Sequence, residues 1–111
     1  MANPNKDKGS QWERDIVAHF NANGFPLVER RYGAGNTLDK GDINGIQMVI
    51  EAKNLAKITL ASIMDETATE VANSHFEVGA AIIKRRGKGA AHAYCVMSFD
   101  SLLKLLKDAG Y

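Results

Sequence analysis

Apolar residues recur along this chain with two periods, and the switches between them outline the secondary structure. Trp12, Ile16 and Phe20 fall every four residues with Val17 beside them, which puts them on one stripe of a helix. Ser10-Gln11-Trp12-Glu13 reads as a capping box, in which the serine hydroxyl accepts from the backbone and the glutamate reaches back. Asn23-Gly24 closes such a helix in the left-handed way glycine permits. The spacing predicts a first helix over about residues 11 to 23. Pro26 fixes one backbone angle on the way out, and Leu27 to Tyr32 read as a first strand. Gly33, Gly35, Asn36 and Gly41 make the next stretch a flexible loop.

Two short strands are expected within Ile43 to Lys53, joined through turn signals at Asn44-Gly45. The second of them, Met48-Val49-Ile50 running into Glu51-Ala52-Lys53, is apolar enough to be buried on at least one face. From about Leu60 to Phe76, the spacing of Leu60, Ile63, Met64, Val71 and Ala72 fits a helix with an apolar stripe. Apolar runs at Gly79 to Ile83 and Ala93 to Met97 predict two more strands around the basic loop Lys84 to Gly89. Ser98 can cap a last helix carrying Leu102, Leu103, Leu105 and Leu106, ended by Gly110. The predicted order is α-β-β-β-α-β-β-α, an α/β fold with one mixed sheet and no internal repeat.

With 111 residues there is material for one core, so residues 9 to 111 are expected to form a single domain. Residues 1 to 8, polar and without apolar period, are expected to be a flexible tail. No apolar run approaches the roughly 18 residues that a membrane span needs, and no secretory start is present. The expected setting is soluble and cytoplasmic, without a membrane partner. Cys95 is the only cysteine, which excludes an intrachain disulfide and a cysteine-based zinc cage; its expected role is a small buried apolar residue. Net charge is only +1, but its distribution is uneven. Between Lys57 and Lys84 there is no Lys or Arg, while Asp65, Glu66, Glu70 and Glu77 lie there, and Lys84, Arg85, Arg86 and Lys88 crowd one loop. One acidic and one basic face are expected.

Candidate chemistry concentrates on the central strand. Residues two apart on a strand share a face, so Glu51 and Lys53 project together while Ile50 and Ala52 face the other way. Asp42, on the preceding strand, can bring a second carboxylate to Glu51 if the connection is wide enough. A tight hairpin at Asn44-Gly45 would leave them roughly 13 Å apart, whereas a wider turn near Asn44 to Gln47 sets Asp42 opposite Val49, within diagonal reach of Glu51. Two carboxylates and a backbone carbonyl, such as that of Ala52, are hard oxygen ligands of the kind Mg²⁺ takes. Such a site, with a lysine beside the metal water, can hydrolyse a phosphodiester.

At these residues the chain resembles the PD-(D/E)XK nuclease superfamily, and within it the archaeal-type and phage Holliday junction resolvases. The resemblance rests on Gly41-Asp42-Ile43 and Val49-Ile50-Glu51-Ala52-Lys53, with Lys8-Gly9-Ser10 and Glu13-Arg14 at the first helix. It implies a restriction-endonuclease-like sheet flanked by helices and a nuclease domain over residues 9 to 111. It also implies Mg²⁺ (or Mn²⁺) held by Asp42, Glu51 and Glu13, with Lys53 assisting the attacking water. Gly41 stands where many members have proline. A phage-encoded member would work in its host's cytoplasm. DNA contacts are expected from Lys8, Arg14, Arg30, Arg31, Lys84, Arg85, Arg86 and Lys88, with Arg30 and Arg31 pointing to opposite faces. Trp12 and Phe20 are expected in the core.

The expected activity is therefore DNA repair or recombination chemistry on four-way junctions. A general repair or restriction-type nuclease and a non-catalytic nucleic-acid-binding module are the alternatives. Cutting a junction on two strands calls for two sites, hence a homodimer, with Ile63, Met64, Val71 and the run near Ile82 as candidate interface.

Overall fold

A computed structural model describes residues 4–31 and 41–111. Among the described residues its elements are α1 (Pro4–Ala22), β1 (Glu29–Arg30), β2 (Ile43–Asn44), β3 (Val49–Lys53), α2 (Leu60–Asn73), β4 (Gly79–Ile83), β5 (Tyr94–Met97) and α3 (Phe99–Asp108), with a 3-10 turn at Ala90–His92. The order agrees with the sequence reading. The predicted loop from Gly33 to Gly41 lies outside the described residues except for Gly41 itself.

Both ends of α1 have physical causes. At the far end Gly24 takes φ 95°, and the Phe25 N–H donates to the Phe20 carbonyl, as a left-handed closure requires. At the near end the helix starts at Pro4, so it takes in part of the segment expected as a loose tail. Proline is well suited to a helix's first turn, where its missing N–H costs nothing. Ser10 consequently sits inside the helix, and the expected capping box is not a cap. The first strand is also shorter than predicted, because the Val28 N–H bonds to the Phe25 carbonyl in a turn that uses up Pro26 and Leu27.

The expected single sheet is divided. β1 and β2 form an antiparallel ribbon, with Arg30 opposite Ile43. β3, β4 and β5 form a mixed sheet in that order, β3 parallel to β4 and β4 antiparallel to β5. Between ribbon and sheet the Asp42 N–H donates to the Ile50 carbonyl at 2.9 Å, but the next strand amide, that of Ala52, is taken by the Asp42 carboxylate at 2.8 Å. A side chain has replaced the backbone acceptor that a continuing ladder would supply.

Helices cover both faces of the sheet. On one side Trp12 and Ile16 pack with Val28, Ile43, Ile50 and Ala80, and the Trp12 indole donates to the Ile82 carbonyl at 3.0 Å. Trp12 is 1% exposed, so it is core as expected. On the other side Ile63 of α2 packs on Ala81 and Ile83. Ile63 is therefore core and unavailable as dimer surface, and Met64, Val71 and Ile82 are half-buried. The large exposed apolar side chains of the last helix are Phe99, Leu102 and Leu103. Its cap is as predicted, with the Ser98 hydroxyl accepting from the Ser101 N–H at 3.1 Å. Cys95 is exposed, contrary to expectation. It lies on the edge strand, where Ile16, Phe20, Ile82 and Ala93 line an open groove instead of closing over it.

The turn between β2 and β3 depends on Gly45, whose φ is 87° and whose added Cβ would run into the Leu27 carbonyl. Gly45→Ala should cost at least about 2 kcal/mol through both clash and backbone strain. Urea unfolding measures it, and a midpoint equal to the parent's would remove this account of the turn.

Candidate active site

Asp42 is delivered by its neighbour. Gly41 has φ 96°, and a Cβ there would lie 2.9 Å from the Ile50 carbonyl oxygen. Proline, held near −65°, could not follow this path. Glycine, and not proline, thus fits the local backbone. The Asp42 carbonyl accepts from the Arg31 N–H at 2.8 Å, so the residue is wedged between the ribbon and β3. Its pairing with Ile50 is one residue beyond the position expected opposite Val49, and the connection is the wide one that a shared site requires.

Glu51 projects from the α2 face of β3 and is only 5% exposed. No donor among the described residues reaches its Oε2. Lys53 follows on the same face, its Nζ 3.6 Å from Glu51 Oε1 and 2.8 Å from Glu66 Oε2. Burial, together with the Glu51 carboxyl beside it, pushes the Asp42 pKa up to about 8. Burial and the neighbouring Glu70 carboxyl likewise push Glu51 up to about 8. For Lys53, burial works against the charged form, but the Glu66 hydrogen bond and the charges of Glu51, Glu66 and Asp42 outweigh it and raise its pKa. Lys53 is therefore an ammonium at neutral pH, a donor and positive charge instead of a base.

Asp42, Glu51 and Lys53 thus come together. Glu13 lies near enough for its charge to raise the Asp42 pKa, and its Oε1 takes the Arg30 Nε at 3.0 Å. The Ala52 N–H points at Asp42, and since the N–H and C=O of a strand residue share an edge, the Ala52 carbonyl is directed to the same side. The donor set of carboxylates, one backbone carbonyl and an orphaned buried oxygen suits a hard divalent cation.

Two members of the cluster escaped the sequence reading. Glu66 and Glu70 of α2 each bring a carboxylate oxygen to Glu51, the three lying within 4.8 Å of one another. Glu70 is 1% exposed, so this member of the run lies inside the fold and not on the acidic face expected of it. The available signal was periodicity. Ile63, Thr67 and Glu70 occupy one buried helical stripe, and a glutamate there calls for an ionic partner.

The basic residues divide into groups. Lys8 of α1 meets Lys84 and Arg86 around a cleft of about 320 Å³ that also touches Asn54, Leu55 and Ala56, immediately after β3. The cleft lies at the carboxyl end of the parallel β3–β4 pair, where the Lys84 N–H bonds to the Lys53 carbonyl. Lys84 also donates to the Lys88 carbonyl, and its Nζ is 5.1 Å from the Trp12 ring centre. Arg85 turns away to lie over Tyr94. Arg14 bonds to Gln11, and Arg31 to Asn44, away from the cleft. If the cleft takes a DNA backbone, Lys8→Ala and Arg86→Ala should each weaken binding to every DNA sequence alike and flatten the salt dependence by about one phosphate's worth. Arg14→Ala serves as the control; equal slopes for all three variants would dissociate the cleft from DNA.

No helix among the described residues is long and apolar enough to cross a membrane. A buried pair of carboxylates, a charged lysine and an adjacent basic cleft form an arrangement suited to holding a cation against a phosphate. Comparison with protein-family models, with curated proteins and with solved structures finds no match to this chain.

Proposed function

We propose that the chain is a metal-dependent DNA endonuclease of the PD-(D/E)XK type, with the restriction-endonuclease-like arrangement that its element order suits. The observation carrying this reading is the seat of Asp42, whose N–H and carboxylate are both tied to β3, beside Glu51. Asp42, Glu51 and the Ala52 carbonyl, with Glu13 at the margin, would hold Mg²⁺ or Mn²⁺. When bound, the ion would activate water and neutralise phosphate charge. Lys53 contributes a fixed positive charge where negative charge develops on the phosphate, and Lys8, Lys84 and Arg86 steer the backbone toward it.

Branched DNA, and the four-way junction in particular, is the proposed substrate through the family resemblance. Junction resolution needs two sites, and a symmetric dimer supplies them. The exposed Phe99, Leu102 and Leu103 support pairing through α3, which leaves β5 at the end opposite the basic loop. A biological interface there should bury at least about 1,000 Å².

Incubation with Mg²⁺ and a panel of junction, flap and plain duplex DNA tests the reading. Preferential, paired cutting of the junction is expected. Equal cutting of plain duplex would favour the restriction-type alternative, and binding without cutting would favour a non-catalytic module. Light scattering that shows a monomer at concentrations where junctions are still resolved would remove the dimer.

A further inference from the structure

We infer that the face of Glu51 turned toward α2 forms a second divalent-cation site, with Glu51, Glu66 and Glu70 as its carboxylate ligands. One oxygen from each lies within 4.8 Å of the other two, close enough to share one ion. Three carboxylates alone would be only an acidic cluster. The second observation is Glu51 itself, which is 95% buried by its 5% exposure and keeps an Oε2 that no donor reaches. A buried carboxylate oxygen without a donor carries a free-energy cost that a cation removes.

The charges around this face point to a dication. Glu51, Glu66 and Asp42 all act on the Lys53 ammonium, so their full ionisation leaves net negative charge around it. A dication offsets more of that charge than a monocation. Lys53 now spans Glu66 and Glu51, and an entering ion displaces it from Glu66 toward Asp42, whose charge also attracts it. Glu66 provides the entrance, since its side chain is 43% exposed while Glu51 and Glu70 lie beneath. The three donors are hard oxygens, which selects Mg²⁺, Mn²⁺ or Ca²⁺ over softer metals. The Glu66 and Glu70 carboxylates sit four residues apart on α2, so a single helical face supplies two ligands without rearranging the fold.

This site shares Glu51 with the proposed nuclease centre but differs from it in using α2 instead of Asp42, and it needs no DNA. The test is a Mn²⁺ titration of the full chain without nucleic acid, with free ion read by electron paramagnetic resonance. The parent should bind two Mn²⁺, and Glu66→Gln and Asp42→Asn should each bind about one. Because Glu70 is wholly buried, Glu70→Gln could disturb folding; exposed Glu66 keeps the test decisive, with circular dichroism confirming its fold. A single Mn²⁺ per parent chain that Glu66→Gln leaves bound, or two that both survive Glu66→Gln, overturns the inference, whereas a single ion lost in Glu66→Gln and kept in Asp42→Asn leaves this site standing and empties the proposed nuclease centre instead. Cleavage does not enter the readout, so a chain that binds two Mn²⁺ and cuts nothing would defeat the nuclease reading and leave this site standing.

Discussion

Glu51→Gln should reduce cleavage by on the order of 10³-fold or more while making the protein more stable at pH 8. In the proposed site the first effect follows from losing the charge that would hold the cation against the phosphate, since an amide oxygen is a far weaker ligand for Mg²⁺. The second follows from burial. Ionised Glu51 has an oxygen without a donor, and burial with the Glu70 carboxyl already forces its pKa up to about 8. Glutamine keeps the shape and removes the charge, so about 1 to 2 kcal/mol should be gained at a pH where the parent is partly ionised. Asp42→Asn should lose activity to a similar extent with little change in fold, because the asparagine carbonyl can still accept from the Ala52 N–H. Single-turnover cleavage and thermal unfolding on the same samples check both halves. Activity and stability lost together in both variants would make the carboxylates structural.

The sequence carried the order of elements well, because period and capping are local properties. β4 matches its predicted run from Gly79 to Ile83, and Ser98 caps α3 as expected. What it did not carry depended on partners distant in the chain. The start of α1 was misplaced because Ser10 and Glu13 look like a cap, yet Glu13 is taken by Arg30, which only tertiary folding brings near. The width of the turn at Gly45 was left open in sequence and decided by its fit against the Leu27 backbone. At the site, strand alternation located Glu51 and Lys53 on one face, since a period of two admits little else. It could not say what covers that face. Glu66 and Glu70 were legible as helical residues of an acidic run, but their meeting with Glu51 needs α2 laid across β3, and an acidic run more often faces water.

Without divalent cations the protein should lose stability as pH rises from about 4 to about 8, the reverse of ordinary acid unfolding. Asp42 and Glu51 start from ordinary values of 3.8 and 4.5 and are both pushed up to about 8 in the fold. Below pH 4 both states are protonated and neither group discriminates between them. Between the two limits the unfolded chain has released protons that the fold retains, so the unfolded state binds fewer protons and stability falls with pH. Above about 8 both states are ionised and the slope vanishes. The two groups are adjacent, so their protons leave in steps belonging to the pair. The total loss should be on the order of several kcal/mol, or roughly 10 °C or more in Tm for a domain this small. A cation that binds only the ionised, folded site acts in the opposite sense, adding about 2.7 kcal/mol at a hundred times its dissociation constant. Thermal unfolding from pH 5 to 9, with chelator and then with saturating Mg²⁺, should therefore give a falling curve that Mg²⁺ lifts most at the alkaline end. A Tm that climbs toward pH 8 in chelator would mean that water or another cation already compensates these carboxylates. A falling curve that Mg²⁺ leaves untouched would mean that the carboxylates are buried together but bind no ion.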